Sequence, residues 1–124
     1  MTSVILVDDV EDKDDTSSFD ILGEYLSIKD ITVYHSDPES IVESYKKNKP
    51  DVVLVTVLTQ RGINAIQSLR KHDLDAKIIS CSENEHEPVK YVDHHIDSPY
   101  EIDSIIEKIK ELKKWQLNDV IDAI

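Results

Sequence analysis

Asp8 and Asp9 are the residues of this chain whose type and spacing point most directly to chemistry. They follow the continuous apolar run Val4-Ile5-Leu6-Val7, which reads as a strand buried on both faces, so the two carboxylates end that strand. An adjacent pair in a crevice is costly unless water, a proton or a cation offsets the repulsion. Oxygen donors of this kind suit Mg²⁺, which takes one or two carboxylates and keeps several waters. The competing reading is a solvated acidic loop continuing through Glu11, Asp12, Asp14 and Asp15, and the residues alone leave the two readings balanced.

Other reactive side chains give weaker patterns. His86, His94 and His95 lie near Glu83, Glu85 and Glu87, but their spacing matches no defined metal-ligand motif, and a hydrated acidic loop accounts for them better. Cys81 ends an apolar segment and reads as a small buried hydrophobe rather than a reactive thiol. Ser80 and Ser82 lack the glycines of a nucleophile elbow. With Gly23 and Gly62 the only two glycines, there is no glycine-rich phosphate cradle, which argues against nucleotide and flavin phosphates.

Composition narrows the class of protein. A chain of 124 residues, 40% of them hydrophobic, suits one domain that buries roughly two-thirds of its extended surface without metal or disulfide support. The single cysteine fits a reducing cytosol, and neither a signal peptide nor a membrane span is visible, so a soluble cytoplasmic protein is expected. Twenty-six acidic residues against 14 basic ones give a formal charge of −12, which repels nucleic acid. The basic clusters Lys46-Lys47-Asn48-Lys49 and Lys113-Lys114 read as solvated helix faces.

The elements that must position these residues alternate between strand and helix. Val4–Val7 and Val52–Val55 are continuous apolar runs suited to the middle of a parallel sheet, with Ile78, Ile79 and Cys81 a third, weaker case. Ile31–Tyr34 and the segment from Tyr91-Val92 to His95-Ile96 are more polar and suit the edges. Between them, Phe19, Leu22, Tyr25 and Leu26 predict a helix capped within Asp15–Ser17. Ile41, Val42 and Tyr45 predict a second, with Asp37 as N-cap and Pro38 at its first position. Ile63, Ile66 and Leu69 mark a third. Ser98-Pro99-Tyr100-Glu101 starts a last helix through Ile102, Ile105, Ile106, Ile109 and Leu112. Pro88 leaves room for only a stunted helix between Glu83 and Lys90. Five such strands with right-handed crossovers allow the order 2-1-3-4-5, whose site lies beyond the carboxyl ends of the strands, where Asp8, Asp9 and Thr56 are delivered.

Val4-Ile5-Leu6-Val7-Asp8-Asp9 and Lys49-Pro50-Asp51-Val52-Val53-Leu54-Val55 together closely resemble the receiver domain of two-component response regulators, and the resemblance spans nearly the whole chain. It implies an α/β fold of the flavodoxin-like (CheY-like) type: a three-layer sandwich with a five-stranded parallel sheet, helices on both faces and here a shortened fourth helix. It further implies that Asp8 and Asp9 hold Mg²⁺ and that position 56 receives a phosphoryl group from a histidine kinase. Ile78-Ile79-Ser80-Cys81-Ser82 places Ser82 at the family's Thr or Ser that follows that group. Ile96-Asp97-Ser98-Pro99-Tyr100 places Ser98 at its lysine, His95 at its aromatic rotamer switch, and Pro99-Tyr100 on the output face.

Two departures change the implied chemistry. Thr56 replaces the phosphoacceptor aspartate, and a threonine hydroxyl is a poor nucleophile without a base positioned to take its proton. Ser98 removes the cation that would pair with an added phosphate, and the metal site loses one anionic ligand. A degenerate pseudo-receiver is expected. It requires no cofactor, retains at most a weak two-carboxylate Mg²⁺ site, and lacks enzymatic activity. It would act by protein–protein contacts in two-component-type signalling, with a kinase-like protein, a downstream regulator or itself as partner. The alternatives are regulation by hydroxyl phosphorylation at Thr56, or a metal-assisted hydrolase using the Asp8/Asp9 crevice.

Residues 1–116 are expected to form the receiver-like domain, and 117–124 an apolar C-terminal tail or helix extension carrying Leu117, Val120, Ile121 and Ile124, with Asn118-Asp119 as a new cap. Such a stripe packs either on its own domain or on a second copy, which leaves a homodimer open. No DNA-binding or enzymatic output segment is read after it.

Overall fold

The computed structural model describes residues 2–7, 18–57, 60–82, 91–97 and 102–122. In chain order these form β1 (Thr2–Val7), α1 (Ser18–Ile28), β2 (Ile31–Ser36), a 3₁₀ turn (Pro38–Ser40), α2 (Ile41–Asn48), β3 (Val52–Thr56), α3 (Gln60–His72), β4 (Ile78–Ser82), β5 (His94–Asp97) and α4 (Ile102–Asp122). The strands make one sheet in the order β2-β1-β3-β4-β5, every pairing parallel. This is the expected fold class, with β2 and β5 at the edges.

Strand alternation explains why the central runs are apolar without interruption. Val4, Leu6, Val52, Leu54, Ile79 and Cys81 pack on one face against Leu26 of α1 and Ile105, Ile106, Ile109 and Leu112 of α4. Ile5, Val7, Val53, Val55 and Ile78 pack on the other against Ile41 of α2 and Ala65, Ile66 and Leu69 of α3. Each residue of a central strand therefore leaves water whichever way it points.

Local departures from the sequence reading occur at element ends. Pro38 opens a 3₁₀ turn rather than α2 itself, which begins at Ile41, and the Asp37 side chain makes no capping bond. Proline, with fixed φ and no N–H, fits the first position of either helix type, so sequence alone does not separate them. At the other end of α2, Lys49 adopts the left-handed region (φ 46°) and its N–H donates to the Tyr45 carbonyl at 2.9 Å, with Pro50 preventing continuation. The helix α4 passes through Asn118 and Asp119 without a new start. The caps in Asp15–Ser17, the stunted helix over 83–90 and the start at Ser98–Glu101 lie outside the described residues, although Ser18 is the first residue of α1.

Polar clamps fix the amino-terminal edge of the sheet. The Ser3 N–H donates to Asp51 Oδ2 at 2.8 Å, and Lys113 of α4 reaches the same carboxylate at 3.7 Å and Thr2 Oγ1 at 3.2 Å. Arg70 does more. Its Nε and Nη2 donate to the Tyr91 carbonyl (3.0 and 2.8 Å), its Nη1 to the Leu74 and Ala76 carbonyls (2.8 and 2.7 Å), and Nη2 also to Asp93 Oδ2 (3.2 Å). Asp93 Oδ2 in turn accepts from the Ile78 N–H at 2.8 Å. One guanidinium thus joins the α3–β4 turn to the entry of the short edge strand β5. Arg70→Ala should lower unfolding free energy by about 2–3 kcal/mol in urea titrations, because several carbonyls lose a charged donor together. Arg70→Lys should recover little of it, since an ammonium cannot reproduce the planar fork.

Candidate functional site

The carboxyl edge of the sheet is built from the last residues of its strands: Val7 of β1, Thr56 of β3 and Ser82 of β4, with Asp97 ending β5. Thr56 is only 6% exposed, and its Oγ1 donates to the Val7 carbonyl at 3.4 Å. The hydroxyl thereby links the ends of β1 and β3, the two strands at the switch point of the sheet. Thr56 aligns in register with Cys81 of β4, whose thiol burial pushes up to about 12. Such a thiol stays protonated and does not serve as a nucleophile.

The expected site residues are distributed unevenly over the described structure. Asp8, Asp9, Ser98, Pro99 and Tyr100 lie outside it. Asp8 nevertheless follows Val7 in sequence, so the chain delivers the acidic pair immediately after the residue whose carbonyl Thr56 engages. Ser82 closes β4 in register with Asp97. His95 lies two strands from Thr56, and alternation puts them on opposite faces: Thr56 follows Val55 of the α2/α3 face, while His95 precedes Ile96 of the α1/α4 face. The structure does not bring Thr56 and His95 together.

What it does bring to His95 is Ser80. The fully buried Ser80 hydroxyl lies 2.5 Å from Nδ1 of the half-buried imidazole, its register partner across β4 and β5. The sequence reading missed this pair, treating Ser80 only as a failed nucleophile. The available signal was a lone hydroxyl inside the apolar β4 run, which needs a partner when buried. His94, on the other face of β5, has its basicity held below the ordinary value by desolvation first and then by Lys108, with Glu111 opposing.

Among the described residues no group of three or more His, Cys, Asp and Glu side chains is arranged to hold a metal ion. The described part of the carboxyl edge offers Thr56 as a neutral oxygen whose hydroxyl already donates to Val7. The expected Mg²⁺ ligands, Asp8 and Asp9, lie outside the described residues.

No protein-family model matches the chain. A 43-residue stretch is 49% identical to the chemotaxis protein CheY of Thermotoga maritima, covering 33% of this chain and 36% of that protein. The match thus spans about a third of the curated relative's length. Solved structures align more completely. The Thermotoga maritima response regulator TrrA, in complex with Mg²⁺-BeF, aligns over 90% of this chain and 99% of its own at 21% identity and a TM-score of 0.76. The receiver domain of Francisella response regulator 1452 aligns over 94% and 99% at 19% identity and 0.78. A CheY-like receiver domain protein from Methanospirillum hungatei aligns over 96% and 98% at 18% identity and 0.75. These likenesses, with the observed strand order, establish a CheY-like receiver fold.

Two measurements check the polar pairs. His95→Leu should cost about 1–3 kcal/mol by stranding the Ser80 hydroxyl, Ser80→Ala less, and the double variant less than the sum, with a coupling of about 1 kcal/mol in a double-mutant cycle. By NMR, His94 should titrate below 6.5, and Lys108→Gln should raise its midpoint. Because folding lowers this pKa, the associated stability is in place above pH 6.5 and is lost as pH falls through the depressed midpoint.

Proposed function

We propose that the chain is a receiver-fold signalling module of the two-component type that works by binding other proteins and takes no phosphoryl group on an aspartate. One observation carries this reading: a buried threonine, bonded to the β1 backbone, stands at the end of β3 where the receiver resemblance puts the phosphoacceptor. A carboxylate attacks a phosphohistidine directly, with the imidazole as leaving group. A threonine hydroxyl must first lose its proton to a base, and the Val7 carbonyl that accepts its hydrogen bond is not one.

The same burial argues against Thr56 as a kinase target, because the hydroxyl sits in a strand paired on both sides and would have to leave the sheet to be reached. A hydrolase on Asp8 and Asp9 gains no support from the described residues, among which no group of three or more His, Cys, Asp and Glu side chains is arranged to hold a metal ion. Asp8 and Asp9 would hold a hydrated Mg²⁺, which neutralises charge at the strand ends. With Ser98 in place of a lysine, an added phosphate would lack its cation.

The partner on this reading is a signalling protein, kinase-like or downstream, or a second copy of the chain. Nucleic acid is disfavoured by the charge of −12, and no described helix is long and apolar enough to cross a membrane. Incubation with acetyl phosphate and Mg²⁺, followed by intact-mass measurement, should leave the chain unmodified. An acid-labile phosphoryl adduct would overturn the proposal.

A further inference from the structure

The amino-terminal edge of the sheet, opposite the carboxyl edge, carries a pocket of about 410 Å³ lined by Gln67, Arg70, Lys71, Leu74 and Tyr91. Three large apolar side chains stand exposed among the described residues, and two of them, Leu74 (80%) and Tyr91 (58%), are in this lining. Tyr91 is also held in the left-handed backbone region at φ 71°, which disfavours an aromatic residue. Folding stability alone would favour glycine or asparagine there, and a polar side chain in place of the ring. Arg70 secures the strained residue by donating twice to its carbonyl, and holds Leu74 through the carbonyl of that residue. The two apolar groups are therefore presented on a braced backbone, an arrangement that lowers the ordering cost of binding.

The charge of the lining is opposite in sign to that of the chain as a whole. The lining holds two cations and no carboxylate in a chain of net charge −12. Arg70 is committed to backbone carbonyls and to Asp93, whereas the exposed Lys71 makes no ion pair among the described residues. Local attraction for one carboxylate thus sits beside an apolar surface of aromatic and aliphatic character, the combination found at the anchoring points of protein interfaces. We propose that this pocket docks a partner protein through a short segment that presents an apolar side chain next to a carboxylate, the side chain lying against Leu74 and Tyr91 and the carboxylate on Lys71. A second copy of the chain is the poorer occupant, because two bodies of charge −12 repel.

The proposal uses none of the carboxyl-edge residues, so it stands or falls separately from the reading of Thr56. It is tested by titrating the ¹⁵N-labelled full chain with the peptide acetyl-Asp-Leu-Phe-Glu-amide and following amide shifts. Saturable shifts are expected at Gln67, Lys71, Leu74 and Tyr91, with a dissociation constant on the order of 1 mM. Lys71→Glu should weaken binding by about tenfold or more, as should replacing Leu-Phe by Ala-Ala in the peptide. Unchanged amide positions of Ile78 and Asp93 in the variant would show that the Arg70 clamp is intact. Absence of pocket shifts at several-fold that concentration, equal binding of the alanine peptide, or pocket shifts that grow with protein concentration before any peptide is added would overturn it.

Discussion

The rest of the structure depends on the complete burial of β3. Every residue from Val52 to Thr56 is buried, the strand is paired on both edges, and its side chains feed the two cores alternately. A parallel strand in that position cannot shift by one residue without exchanging the two cores. Its register therefore fixes which residue emerges at the carboxyl edge, and that residue is Thr56. The position of the candidate site follows from packing, while its chemistry follows from a single side chain.

That side chain serves the sheet. A hydroxyl bonded to the Val7 carbonyl closes the β1–β3 edge with a neutral group, which burial tolerates far better than an unpaired carboxylate. A site that must accept and release a phosphoryl group needs the opposite: a charged nucleophile, a cation facing it and a metal between. At the positions that the receiver resemblance assigns to them, Thr56 and Ser98 depart from those requirements in the same direction. The fold keeps its layers with a threonine at position 56 because Thr56 is not among the described apolar residues that hold the layers together.

How far the sequence revealed this depended on the physical signal at each place. The central strands were legible because two-sided burial leaves an uninterrupted apolar run, as in Val4–Val7 and Val52–Val55, and the edges because β2 and β5 pair on one side only and tolerate more polar residues. Thr56 was placed at the strand end by that same run. Pro38 misled by three residues because a 3₁₀ turn and an α-helix begin with the same residue types. The reach of Arg70 to Tyr91 and the Ser80–His95 pair were harder to read for another reason: they join residues 21 and 15 apart, and the partners are chosen by strand register and by a backbone carbonyl, which carries no residue-type signature. For Asp8, Asp9, Ser98, Pro99 and Tyr100, the sequence and its resemblance remain the whole basis of assignment.

The central claim, that the receiver fold persists here without its covalent switch, is tested most directly by Mg²⁺ and beryllofluoride, the combination bound in the TrrA structure. Amide spectra of the full chain should be followed first with Mg²⁺ alone and then with beryllofluoride added. A chain with Thr56 at the end of β3 should show no further change at Thr56, Cys81 or Ile96 in the second step. Saturable shifts at those residues on adding beryllofluoride would show that the pocket still captures a phosphoryl mimic, and would contradict the claim.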